Sequence, residues 1–206
     1  RWLEAQRRIR ITGSDLYWSD EEGGTAPLHF SQLDLELRNA GGRHVVSASM
    51  VLPQEFGRQL QVVADVQGPL LDESHWDGRL YLRGSGANLA RLAAGRRIAG
   101  VAAADGAADV RAWGELRNGR LRELEGDLQV QGLRLTGVAP AAATAHVAGL
   151  GGRFRWYAFE GGWILDADRV WVAIGGDVTP PTQFRIFVQR DGGAREIETQ
   201  VGYLRL

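Results

Sequence analysis

Apolar and polar residues alternate along most of this chain, and glycine-rich turns break the alternation at short intervals. Leu60-Gln61-Val62-Val63-Ala64-Asp65-Val66-Gln67 carries an apolar residue at every even position, and Val46-Ser47-Ala48-Ser49-Met50-Val51-Leu52 nearly repeats it. Successive side chains of a strand point to opposite faces, so a period of two gathers these groups on one side of a sheet. The pattern predicts a mainly β chain: a long antiparallel sheet, apolar on one face and polar on the other. Val46, Ala48, Met50 and Leu52 are expected to face the same side as Leu60, Val62, Ala64 and Val66.

The first strand is placed at 8–18, with Gly13 as a bulge because the alternation slips there. A turn carrying Gly23-Gly24 leads to a strand over 28–38, in which Leu33, Leu35 and Leu37 share a face while Leu28 and Phe30 fall on the other parity. Strands at 43–52 and 58–67 follow a hairpin loop at 39–42, whose Asn and Gly tolerate positive φ. The alternation resumes at Trp76. Asn88 to Gly95 is the one convincing helix, placed at 88–94, with Asn88 capping it and Gly95 stopping it. Asn118-Gly119 is the strongest hairpin dipeptide. The Ala- and Gly-rich stretch 138–152 is expected to be irregular and to divide a first β segment, 1–137, from a second, 138–206. Hairpins about Gly161-Gly162 and Gly192-Gly193 complete the chain. Because connections are short, sequence neighbours are expected to be sheet neighbours, a meander with strands of eight to ten residues and a width of about 30 Å.

Composition excludes several functions. A net charge of −1, with basic residues spread singly, gives no electrostatic case for nucleic acid. Every basic residue is Arg and none is Lys, which fits the coding bias of a GC-rich bacterium. The absence of Cys removes disulfides and thiolate metal sites and suits an oxidising compartment. No run approaches the ~18–20 apolar residues of a membrane span, and no signal peptide is visible. The chain opens Arg1-Trp2 without Met and ends on the strand-like Gly202-Tyr203-Leu204-Arg205-Leu206, so it is read as a fragment of a longer protein.

Catalytic chemistry finds little support. His29, His44, His75 and His146 lie at no metal-ligand spacing. His75 near Asp72, Glu73 and Asp77 reads as turn charge, and Ser85 in Gly84-Ser85-Gly86 has no indicated His partner. The expectation is a non-enzyme with no metal and no cofactor. Trp18, Trp76, Trp113, Trp156, Trp163 and Trp171 all fall in predicted strands. Trp113 aligns with Arg111 and Glu115, and Trp171 opposes Val170 and Val172, so these two belong to a second surface.

Several segments, in order, resemble the YhdP branch of the AsmA-like proteins, bridge-like lipid-transfer proteins of Gram-negative envelopes. They are Ile11 to Asp20, Leu33 to Asn39 with Gly42-Arg43-His44, Trp76 to Tyr81, Asn88-Leu89, and Ala112 to Leu116. Gly152 to Trp156, Gly162 to Leu165, and Gly202 to Leu206 continue the series. Each piece is short and degenerate, and the weight lies in their order and spacing. Thr179-Pro180-Pro181-Thr182 departs from the pattern. The resemblance implies a long, curved antiparallel sheet folded like a taco shell, with a hydrophobic groove for phospholipid acyl chains and no catalytic residues. It implies a periplasmic location, a tether to the inner membrane through a segment outside this fragment, and transfer toward the outer membrane. On that implication the lipid-groove candidates are Val46, Ala48, Met50, Leu52, Leu60, Val62, Ala64, Val66, Leu80, Leu82, Phe154, Trp156, Trp163 and Leu165. The alternative is a β-sandwich module of an exported protein, binding carbohydrate or protein through exposed Trp residues.

Overall fold

The structure is a computed structural model that describes residues 2–19, 27–93, 97, 101–138, 143–191 and 194–202, without the side chains of 138, 190, 191, 194 and 195. The Gly23-Gly24 turn, the Gly95 helix stop, the Gly192-Gly193 turn and the end of the chain from Tyr203 lie outside the described residues.

Among the described residues, twelve strands form a single antiparallel sheet. They are β1 (Arg8–Trp18), β2 (Leu28–Ala40), β3 (Arg43–Val51), β4 (Gln59–Gln67), β5 (Asp77–Asn88), β6 (Ala102–Arg117), β7 (Arg120–Val138), β8 (Ala143–Phe159), β9 (Gly162–Ile174), β10 (Asp177–Val178), β11 (Thr182–Asp191) and β12 (Ala194–Val201). Each strand pairs with the next in sequence except at β10, which folds back on β9 and is passed over by β11, itself paired with β9. The meander follows from the tight turns: Asn118 and Gly119 both take positive φ, 49° and 65°, as a two-residue hairpin loop requires. That turn also docks. Asn118 N–H donates to Asp77 Oδ1 (2.7 Å) and Gly119 N–H to the Trp76 carbonyl (2.9 Å), and a Cβ at Gly119 would overlap the Glu73 carbonyl oxygen.

Helix is scarce. One turn of α1 (Trp2–Ala5), one turn of α2 (Leu89–Leu92) and a single 3-10 turn (Glu73–His75) are present among the described residues. Asn88 caps α2 as its sequence predicts, its side chain accepting from Arg91 N–H at 3.1 Å.

Three expectations are corrected. The described part of 138–152 is not irregular: Val138 ends β7, and from Ala143 the chain is strand β8, which pairs with β7 from Glu123↔Tyr157 to Val138↔Ala143; 139–142 lie outside the described residues. Its glycines are seats and not breaks. A Cβ at Gly149 or Gly151 would stand 3.1 or 2.8 Å from the Trp171 indole, which lies across them. The sheet is also wider than expected: β6, β7 and β8 hold 16, 19 and 17 residues, so β7 is roughly 60 Å long at ~3.3 Å per residue. Bulges at Gly106 and Gly132, both with positive φ, carry these strands past points where the alternation slips. Finally, Trp76 precedes β5 instead of lying within it, and its indole N–H donates to the Pro69 carbonyl at 2.8 Å.

The Gly13 bulge is as expected, with φ +55° and a register shift between Ile11 and Ser14. A second bulge at Gln32, φ +52°, resolves the parity conflict in β2. By register, Leu28 and Phe30 return to the face of Leu33, Leu35 and Leu37.

Candidate functional site

Cross-strand register assembles the apolar face. Directly paired residues share a face, and one row reads Ile11, Leu35, Ala48, Val62, Leu82, Ala112, Gly126, Phe154, Ala167, Phe184, Val201. It crosses every strand of the path from β1 to β12 without a polar side chain. The row beside it reads Ile9, Leu37, Val46, Ala64, Leu80, Gly114, Leu124, Trp156, Leu165, Ile186 and ends on Thr199. Ten inter-strand steps of ~4.8 Å make this apolar band about 50 Å long.

All the groove candidates within strands join this face. Met50 pairs with Leu60, Ala48 with Val62 and Val46 with Ala64; Trp163 pairs with Val188, and Leu52 lies just past β3, its N–H bonded to the Arg58 carbonyl. Most are half-buried. Val66 differs. At 1% exposure it belongs to the packed end of the strands.

Two packed regions bound the band. At one end of the long strands, Ala108, Val130, Leu133 and Val147 are buried, with Leu89 of α2, Leu128, Leu150 and Val172 against them. At the other end His44, 4% exposed, holds the first elements together. Its Nδ1 lies 2.7 Å from Asn39 Oδ1 and its Nε2 2.9 Å from the Gly68 carbonyl, while Asn39 Nδ2 donates to the Leu3 and Gln6 carbonyls at 2.7 and 2.8 Å. Sequence patterning did not single out His44 for this; the signal lay in its even parity among Val46, Ala48 and Met50.

The opposite face is a ladder of charge. Arg43 forms a two-bond fork with Asp65 (2.7 and 2.6 Å), Arg155 Nε donates to Glu123 (2.6 Å), and Arg185 Nη2 to Asp166 Oδ2 (3.0 Å). Each guanidinium is raised above its ordinary pKa by its hydrogen-bonded carboxylate. Asp65 is lowered by Arg43 in return. Glu36 accepts from Arg8 and Arg10 on Oε2 (2.9 and 2.8 Å), with Arg38 Nε 2.7 Å from Oε1; the Arg8 and Arg10 bonds hold its pKa at about 2. Trp113 and Trp171 lie on this charged side, the second surface that parity requires. A hollow of about 710 Å³ also opens here, between Arg153, Arg155, Asp166, Asp168 and Arg185.

The other candidates stay apart. His75 Nδ1 meets Asp72 Oδ2 at 2.7 Å in an exposed turn, with Ser74 and His75 both lowering the Asp72 pKa. Ser85 sits in the β5 bulge, where Gly86 N–H donates to Asp109 Oδ1 at 2.7 Å. Among the described residues no group of three His, Cys, Asp or Glu is arranged to hold a metal, and no helix is long and apolar enough to cross a membrane.

A family model described as "YhdP protein" matches residues 1–206, so the chain belongs to the YhdP family. No curated protein and no solved structure matches it.

Proposed function

We propose that this chain is a segment of a periplasmic bridge-like lipid-transfer protein. Its apolar band is a track along which phospholipid acyl chains move between the inner and outer membranes, with the protein tethered at the inner membrane. The observation that carries this reading is the row from Ile11 to Val201, unbroken across all eleven strands of the path. Monomeric soluble proteins rarely leave an apolar patch of such extent uncovered, and one that is left marks a binding surface. Acyl chains fit it. Each methylene removed from water contributes about 0.8 kcal/mol, so affinity grows with the length of trough and needs no point site. Charged side chains hold the other face in water and leave the band as the dry side.

A β-sandwich module would need a second sheet over this face, whereas the described residues form one sheet. The family match is consistent with lipid transfer. No catalytic role is proposed.

The test is native mass spectrometry of the 206-residue chain purified in a mild detergent, followed by detergent exchange in the presence of phospholipid vesicles. Retained phospholipid, at one or more copies per chain, is the expected result. A chain that emerges folded and lipid-free after incubation overturns the reading.

A further inference from the structure

We propose that Tyr81, Trp113 and the hollow beside them form a binding site for a neutral glycan chain on the charged face of the sheet. Packing does not account for Trp113. It is 41% exposed, stands in the centre of the sheet and points away from the apolar band, with Tyr81 on β5 and Glu125 on β7 as its register partners. The Tyr81 ring lies 5.5 Å from it at an interplanar angle of 53°, which makes a notched platform instead of a flat stack. The Arg111 guanidinium covers part of the indole at 5.8 Å.

Beside this platform opens a hollow of about 410 Å³, lined by Arg79, Trp113, Glu115, Glu123, Glu125 and Arg153. That is within the range of small-ligand sites. Sugar rings offer a face of C–H groups, which packs on an aromatic ring, and an edge of hydroxyls that both donate and accept. The walls supply both complements: carboxylates that accept and guanidinium groups that donate in a planar fork. Glu115 and Glu123 are already paired with Arg117 and Arg155, so the walls present interleaved charge of both signs and not the one-signed field that favours a polyanion such as a nucleic acid or an acidic polysaccharide. The site lies on the side of the sheet opposite the lipid band, and occupancy of one does not block the other.

Saturation-transfer NMR on the full 206-residue chain tests this, with the β-1,4-linked hexamer of N-acetylglucosamine and maltohexaose as neutral probes and hexalysine as the peptide control. Transfer to at least one oligosaccharide is expected, with binding weakened roughly tenfold or more by Trp113→Ala, the loss typical of an aromatic anchor. The melting temperature should stay within a few degrees of wild type, because the indole is exposed. Should Trp113→Ala fail to fold, Trp113→Phe and Glu125→Gln replace it, each expected to fold and to weaken binding. Three outcomes overturn the proposal: no transfer to either oligosaccharide, binding that folded variants leave unchanged, or transfer to hexalysine alone.

Discussion

Glu36 shows how a single carboxylate ties the first two strands. Arg8 and Arg10 come from β1 and Arg38 from β2, and all three converge on one side chain that is itself only 14% exposed. Exposed ion pairs contribute little one at a time, but a carboxylate shared among three guanidinium groups titrates far from its ordinary value. Its pKa is about 2 in the folded chain against 4.5 for a free group. A lowered folded-state pKa gives stability that is present above the unfolded value and lost as pH falls toward the folded one. Wild type should therefore melt above Glu36→Gln at neutral pH, with the gap narrowing below about pH 4.5 and closing near pH 2. Thermal melts of both proteins across that range check it; a gap independent of pH would mean that the Arg cluster acts through packing alone. The same charges explain why the polar side was legible early. Arg79, Arg83, Arg111 and Glu115 stand at odd positions of β5 and β6, on the side opposite the apolar even ones.

The elements read from sequence with uneven success, and the reasons are physical. β1, β3 and β4 were visible because their alternation is clean and their glycines sit at turns or, as Gly13 does, at a bulge. The parity conflict in β2 was visible, but its resolution, the Gln32 bulge, was not, because no residue type announces it: a non-glycine at φ +52° is uncommon. The first part of β8, 143–152, was missed because Ala and Gly have low strand preference on their own, whereas 153–159 was placed in the hairpin about Gly161-Gly162. What makes 143–152 a strand is tertiary. The Trp171 ring needs a shallow floor, and Gly149 and Gly151 supply it. Gly151→Val would place a branched side chain where the indole lies, so the ring must leave or β9 must shift. The expected effect is a loss of about 2 kcal/mol, the scale of an overpacked site, with a changed near-ultraviolet circular dichroism signal from the displaced indole. Chemical denaturation and that spectrum measure both. An unchanged stability would mean that the ring has an equally good second seat.

The whole molecule separates two kinds of apolar position that sequence periodicity treats alike. Val62 and Met50 lie on the half-open band, whereas Val130, 3% exposed, lies in the packed cluster under α2. All three are even-numbered members of alternating strands, and only the register and the placement of α2 distinguish them. A carboxylate at Val130 has no route to water and no partner, so Val130→Asp should cost several kcal/mol and unfold the chain. At Val62 or Met50 the new carboxylate reaches the open side of the band. Val62→Asp and Met50→Glu should lower stability by about 1–2 kcal/mol and leave the sheet intact. If the band carries acyl chains as proposed, both substitutions should still interrupt passage, because a chain crossing there must desolvate the charge. In the full-length protein the expected phenotype is thus a folded, abundant variant with a failing outer-membrane barrier, while Val130→Asp fails through loss of the protein itself. Immunoblots of protein level beside a permeability assay separate the two. If Val62→Asp and Met50→Glu unfold as Val130→Asp does, the band is a closed core and the conduit reading falls. If they fold and the barrier holds, lipid does not pass over these residues.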